Sequence, residues 1–129
     1  MPERLLIDTD VLIDYLRGVP EAVAFLEQTS AELRLSVITV AELYAGVREG
    51  KERQALEKFV SAFEVVPLER SAAERGGLFR RDFGKSHNTG LADTLIAATA
   101  EATGARLVTL NAKHFPMLHD VLVPYRKDE

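Results

Sequence analysis

The sequence predicts an α/β fold: a three-layer α/β/α sandwich around a five-stranded parallel sheet. Short apolar runs of strand length alternate with segments of helical periodicity along the chain. Strands separated by helical segments pair in parallel through right-handed crossovers. No linker, repeat or low-complexity stretch divides the 129 residues, so residues 1–129 read as a single domain with one core.

Residues 4–8 (RLLID) read as a short buried strand ending in an acid. Residues 10–17 follow as a helix, with Gly18 as its stop, and Pro20 suits the first turn of a second helix over 20–28. Residues 33–38 (LRLSVI) form the second strand. Thr39 then opens a helix whose apolar positions 40, 43, 44 and 47 share one face. A helix over 52–63 carries Leu56, Phe59, Val60 and Phe63 on one side, and 64–66 (EVV) is the third strand, closed by Pro67. Residues 71–83 read as helical despite Gly76 and Gly77. Residues 91–103 form a strongly apolar helix stopped by Gly104. Residues 106–110 and 121–123 supply strands four and five, and the final RKDE reads as a frayed tail.

Composition narrows the function classes. The 47% hydrophobic and 28% charged content is that of a soluble globular protein. With no cysteine there is neither a disulfide framework nor a thiolate zinc site, which suits a cytosolic, cytoplasmic location. Acids at 8, 10 and 14 interrupt the N-terminal apolar run, so no secretory signal is read there, and no stretch has the length of a membrane span. The net charge of −4 means that a nucleic-acid partner would need a local basic patch.

Ligands of open α/β sheets bind outside the carboxyl ends of the strands, so the polar residues there matter most. Asp8 closes the first strand and reads equally as a cleft carboxylate or as a helix N-cap. Glu42 stands three residues after Thr39, which is the spacing of a capping box. It also lies opposite the apolar stripe, beside Ala45 and Gly46, where a substrate backbone could come close. Asp93 is the one charged residue of TGLADTLIAATA (89–100). A carboxylate buried there is costly without a partner, and the helix dipole offers only ~0.3–2 kcal/mol, so an Arg or a metal ion is expected beside it. Asn111, just after the fourth strand, reads first as a turn residue.

These positions fall on one edge of the predicted sheet. Two carboxylates ~4 Å apart repel by about 4 kcal/mol at an effective dielectric of ~20, so clustered acids take up protons or a cation. Oxygen-only ligation favours Mg²⁺ or Mn²⁺ over zinc, and such an ion suits phosphoryl chemistry.

The segments LLIDTDVLIDYLRG (5–18), ITVAELYAGV (38–47), GLADTLIAATA (90–100) and LVTLNAKHF (107–115) together resemble the PIN-domain ribonucleases, specifically the VapC-type toxins of VapBC toxin–antitoxin pairs. The resemblance implies a Mg²⁺- or Mn²⁺-dependent endoribonuclease that hydrolyses RNA to 5′-phosphate and 3′-hydroxyl ends. It implies that Asp8, Glu42 and Asp93 are the catalytic residues and metal ligands. It further implies a homodimer silenced by a small VapB-type antitoxin. The chain departs from the family in having Asp10 where many members carry Asn, and Asn111 where many carry a fourth acid. One metal or two is therefore open. Asp10 reads equally as a helix cap or as a group supporting the site from behind the ligands.

Thr39 could orient Glu42 or simply cap its helix, and the spacing of Asp14 and Arg17 suits a local ion pair. Arg80, Arg81, Lys85, His87, Lys113 and His114 flank the candidate site and could contact RNA phosphates or be ordinary solvated charge. The helices bearing Leu56, Phe59, Val60 and Phe63 could offer an antitoxin a groove or be plain core. Three rival readings stand beside the nuclease. LLIDTDVL resembles the D-x-D motif of haloacid-dehalogenase phosphatases, but their later Lys and paired-Asp signals are missing. A metal-free ribonuclease would need two of His87, His114 and His119 together. A degenerate PIN-like module would bind RNA or protein without cleavage, but would have no use for Asp93 in an apolar helix.

Overall fold

The computed structural model describes residues 2–126. Its strands are β1 (Arg4–Ile7), β2 (Glu32–Ser36), β3 (Glu64–Val66) and β4 (Arg106–Val108). Its helices are α1 (Thr9–Leu16), α2 (Pro20–Gln28), α3 (Val37–Ala45), α4 (Lys51–Ser61), α5 (Arg70–Phe83) and α6 (Leu91–Thr103). A 3-10 turn spans Ala112–His114. The strands lie in the order β3-β2-β1-β4, and every pairing is parallel.

The expected sheet of five strands is corrected to four. Leu122 makes only an isolated parallel bridge to Val108. Its N–H donates to the Leu107 carbonyl at 2.8 Å, and its own carbonyl accepts from the Thr109 N–H at 3.1 Å. The next donor on that side would be residue 124, which is proline and has no N–H, so the ladder stops after one rung. In the tail read as frayed, residues 127–129 lie outside the described residues.

Alternation along the central strands divides the core into two layers. Leu5, Ile7 and Val108 face a cluster with Val11, Leu12, Leu43 and Leu56, drawn from α1, α3 and α4, with Phe25 and Leu26 of α2 packed against it. Leu6 and Leu107 face the other way, onto Ala72 and Phe79 of α5, Ile96 and Ala97 of α6, and Phe115. The two glycines of α5 do not break it. A Cβ at Gly76 would stand 2.8 Å from Leu95 Cδ2 and 3.2 Å from the Thr94 carbonyl oxygen, so glycine lets α5 lie directly on α6. Gly104 ends α6 in the left-handed conformation at φ 66°, as its position after the apolar run implied.

The start of α3 also differs from expectation. Ser36, not Thr39, is the N-cap, and its hydroxyl accepts from the Ile38 N–H at 3.0 Å. Residues 37–38 therefore belong to the helix rather than the strand. Thr39 sits in the first turn, fully buried, and no Thr39–Glu42 capping box forms. Glu42 has no capping duty and is available to another partner.

Candidate active site

β1 delivers Asp8 to the carboxyl edge of the sheet, where its backbone N–H still donates to the Val108 carbonyl at 2.8 Å. Asp8 is both a helix cap and a buried acid at the cleft. Its Oδ1 accepts from the Thr9 N–H at 2.8 Å, and its Oδ2 accepts from the Thr109 hydroxyl at 2.7 Å. Only 6% of its surface remains exposed. Its carboxyl is raised to about 7, first by burial and then by the charge of Asp10. The hydrogen bonds from Thr109 and Thr9 oppose that rise, while the charge of Asp93 adds to it.

The next two residues reach opposite walls. The Thr9 hydroxyl donates to Glu42 Oε1 at 2.6 Å, and Thr39 Oγ1 lies 3.4 Å from the same hydroxyl. Glu42 is thus held by Thr9, with Thr39 one step further back. Asp10 accepts from the segment that follows β4, including the Asn111 amide at 3.0 Å. Its carboxyl is also raised, first by burial, against hydrogen bonds from Leu110, Val11 and Thr109, with Asp14 adding to the rise. Asp10 lies inside α1 and is not the helix cap.

Asp93 stands in the first turn of α6, half-buried, and its charge is felt at Asp8. Among the described residues it has no ion-pair partner, so the Arg that could have explained it is not there. Asp14 is buried on α1 and accepts from the Tyr125 hydroxyl at 2.9 Å. It is thereby tied to the C-terminal segment.

The fold therefore brings Asp8, Asp10, Glu42, Asn111 and Asp93 to one region through Thr9, Thr109 and the end of α6. Among the described residues no three His, Asp or Glu side chains are gathered as a preformed metal cage. The donor chemistry nevertheless fits a hard divalent cation. The acids offer oxygen only, Asp8 is buried under the charge of two other acids, and among the described residues Asp93 makes no ion pair.

Of the basic residues, Lys85 and Lys113 lie on two linked loops, whereas Arg80 and Arg81 lie in the last turn of α5. The Thr89 hydroxyl donates to the His114 carbonyl at 2.8 Å, which joins the loop after α5 to the 3-10 turn. Lys85 and Lys113 are exposed on those two segments. Arg81 is engaged by Asp82 at 2.9 Å, and the Arg80 guanidinium folds over Gly84. Among the described residues no hydrogen bond joins two histidine side chains. His87 pairs with Ser86 at 2.7 Å, and His119 lines a cleft with Arg4 and Glu32 at the opposite end of the strands. A separate groove of about 610 Å³ runs from Glu42 past Leu16, Leu43, Val47 and Leu56, between α1, α3 and α4.

Thr9 and Thr109 are the residues that sequence reasoning missed. Each is a hydroxyl directly beside a strand end in an otherwise apolar or acidic run, and that was the available signal.

A parallel α/β/α sheet whose carboxyl edge gathers acids and hydroxyls defines an α/β domain with an acidic cleft. The chain belongs to the PIN-domain family, whose model matches residues 5–117, and it is closely related to the VapC-family toxins. It is 40% identical over 124 residues to ribonuclease VapC10 of Mycobacterium tuberculosis, covering 94% of this chain and 92% of that one. It is 42% identical over 125 residues to ribonuclease VapC19 of the same organism, covering 93% and 98%. A toxin–antitoxin complex from Klebsiella pneumoniae has a chain that superposes with a TM-score of 0.82 at 30% identity, covering 95% of this chain and 99% of that one. FitAcB from Neisseria gonorrhoeae superposes at 0.74 with 29% identity, covering 93% and 97%. This kinship displaces the haloacid-dehalogenase reading.

Proposed function

We infer that the chain is a ribonuclease toxin of the VapC kind, hydrolysing RNA phosphodiester bonds and neutralised by a cognate antitoxin. The observation that carries this reading is the pairing of family membership with a buried Asp8 under the charge of Asp10 and Asp93. Asp8, Glu42 and Asp93 are the residues assigned to hold a Mg²⁺ or Mn²⁺ ion, which would supply positive charge against phosphate oxygens and acidify a water.

The protein's own groups do the rest. The Thr109 hydroxyl orients Asp8, and Thr9 orients Glu42, so two of the three carboxylates are fixed before substrate arrives. Lys85 and Lys113, exposed near the cleft, are the cations assigned to RNA phosphates, with Arg80 and Arg81 of α5 as further candidates. The groove between α1, α3 and α4 suits an antitoxin segment of VapB type: it is apolar along its floor, has Arg17 and Arg48 on its lining, and opens beside Glu42. The chain as a whole is read as one PIN-like domain, acting in the cytoplasm as a homodimer. Among the described residues no helix is long and apolar enough to cross a membrane.

The test is cleavage of a defined RNA by the purified protein. Cleavage is expected with Mg²⁺ or Mn²⁺, is expected to stop with chelator, and should leave 5′-phosphate ends. Undiminished cleavage in chelator, or ends bearing a cyclic phosphate, would contradict the assignment.

A further inference from the structure

The Asp10 carboxylate is held by contacts on both of its oxygens. Its Oδ1 accepts from the Val11 N–H at 2.8 Å. Its Oδ2 accepts from the Leu110 N–H at 3.0 Å, the Asn111 side-chain amide at 3.0 Å and the Thr109 hydroxyl at 3.3 Å. An ionised carboxylate has about four acceptor positions, two on each oxygen; two N–H groups fill Oδ2 and one occupies Oδ1. A bidentate metal-binding role for Asp10 therefore does not suit the geometry.

Apart from Val11 of α1, these donors belong to one short segment after β4, and that segment builds a wall of the cleft. Thr109 has a single hydroxyl proton. It lies closer to Asp8 Oδ2, at 2.7 Å, than to Asp10 Oδ2, so the proton serves Asp8 while Asp10 lies alongside. The Asn111 amide nitrogen is committed to Asp10, which turns its carbonyl oxygen the other way. The Asn111 N–H in turn donates to Thr109 Oγ1 at 3.1 Å, so the three residues are locked as a unit.

We propose that Asp10 is a positioning residue: its carboxylate seats residues 109–111 so that Thr109 holds Asp8 and Asn111 presents its amide oxygen rather than a charge. Asp10 and Asn111 form a matched acid–amide pair. An acid at 111 would stand against an acid at 10, so residue 111 stays neutral because residue 10 is charged. This inference rests on the ribonuclease reading for its catalytic consequence, but not for the pairing itself.

The experiment compares Asn111→Asp, Asp10→Asn and the double variant D10N/N111D with the unsubstituted full chain. RNA cleavage is measured at saturating Mn²⁺, and hydrogen exchange is followed at the Leu110 amide. Asn111→Asp is expected to lower kcat by about tenfold, with KM for RNA changed far less, as supporting contacts behind a metal site commonly do. The Leu110 amide should lose protection in Asp10→Asn. The double variant should recover at least about fivefold in kcat over the poorer single variant, because amide and carboxylate have exchanged places across one contact.

Asn111→Asp that cleaves as well as the unsubstituted chain and binds Mn²⁺ more tightly overturns the proposal and makes position 111 a ligand. A double variant no better than the poorer single one overturns it too. If the unsubstituted chain cleaves no RNA, the ribonuclease reading fails. Leu110 exchange then decides the pairing separately, with unchanged protection in Asp10→Asn rejecting it.

Discussion

A carboxyl raised to about 7 makes Asp8 a link between pH, stability and cation binding. At low pH it is protonated in both the folded and the unfolded chain, and its contribution to stability is fully present there. As pH rises from about 4 the unfolded chain ionises first, so that contribution is lost progressively and is gone above about 7. Asp10 is shifted in the same direction and adds to the slope. In chelator the unfolding free energy should therefore fall between pH 5 and pH 8, by an amount on the order of a few kcal/mol, and the thermal midpoint should fall with it. Saturating Mn²⁺ should flatten or reverse the trend, because a ligand of the ionised form stabilises the folded state. Asp8→Asn should remove most of the slope in chelator. A flat profile for the unsubstituted chain would show that Asp8 is not desolvated as described. At this scale the sequence located the acids but not their holders. The Thr39–Glu42 spacing pointed to a cap, whereas Ser36 caps the helix and Glu42 turns to Thr9. That contact joins residues 33 positions apart, and no local pattern encodes it.

The elements were more legible than their junctions. Each of the four strands and six helices overlaps a segment that apolar periodicity marked, because burial on two faces of one sheet enforces those periods, although α3 starts at Val37 rather than Thr39 and β4 ends at Val108 rather than at 110. The fifth strand was misread because the apolar run at 121–123 carries no mark of how many rungs it can make. Pro124 was the one visible warning. Gly76 and Gly77 weakened the prediction of α5 on propensity alone, yet Gly76 is where α5 touches α6. Gly76→Ala should cost about 1–3 kcal/mol by forcing the helices apart, although alanine is the better helix former. Gly77→Ala, with open space around it, should be neutral or stabilising. Chemical denaturation of both variants checks this, and equal effects would remove the crossing from the explanation. Because α6 carries Asp93, the same glycine also sets how far that acid stands from Asp8.

For the whole molecule, the parallel sheet gathers residues distant in sequence at one edge. Asp8 follows β1, Thr109 follows β4, Glu42 comes from α3 after β2, and Asp93 stands in the first turn of α6. The fold class, together with the rule that ligands sit at the carboxyl edge, was sufficient to find that edge from the sequence. It could not supply the side-chain contacts that orient each acid. Under the proposed function, the net charge of −4 would leave attraction to RNA to the loops bearing Lys85 and Lys113, which Thr89 holds together. The central claim is that Asp8 and Asp93 act together on RNA through a divalent ion. It is tested most directly by RNA cleavage in Mn²⁺ with the Asp93→Asn protein, whose fold is verified by an unchanged thermal transition. The account predicts a loss of roughly 100-fold or more in rate. Cleavage by the Asp93→Asn protein at the rate of the unsubstituted chain would contradict it.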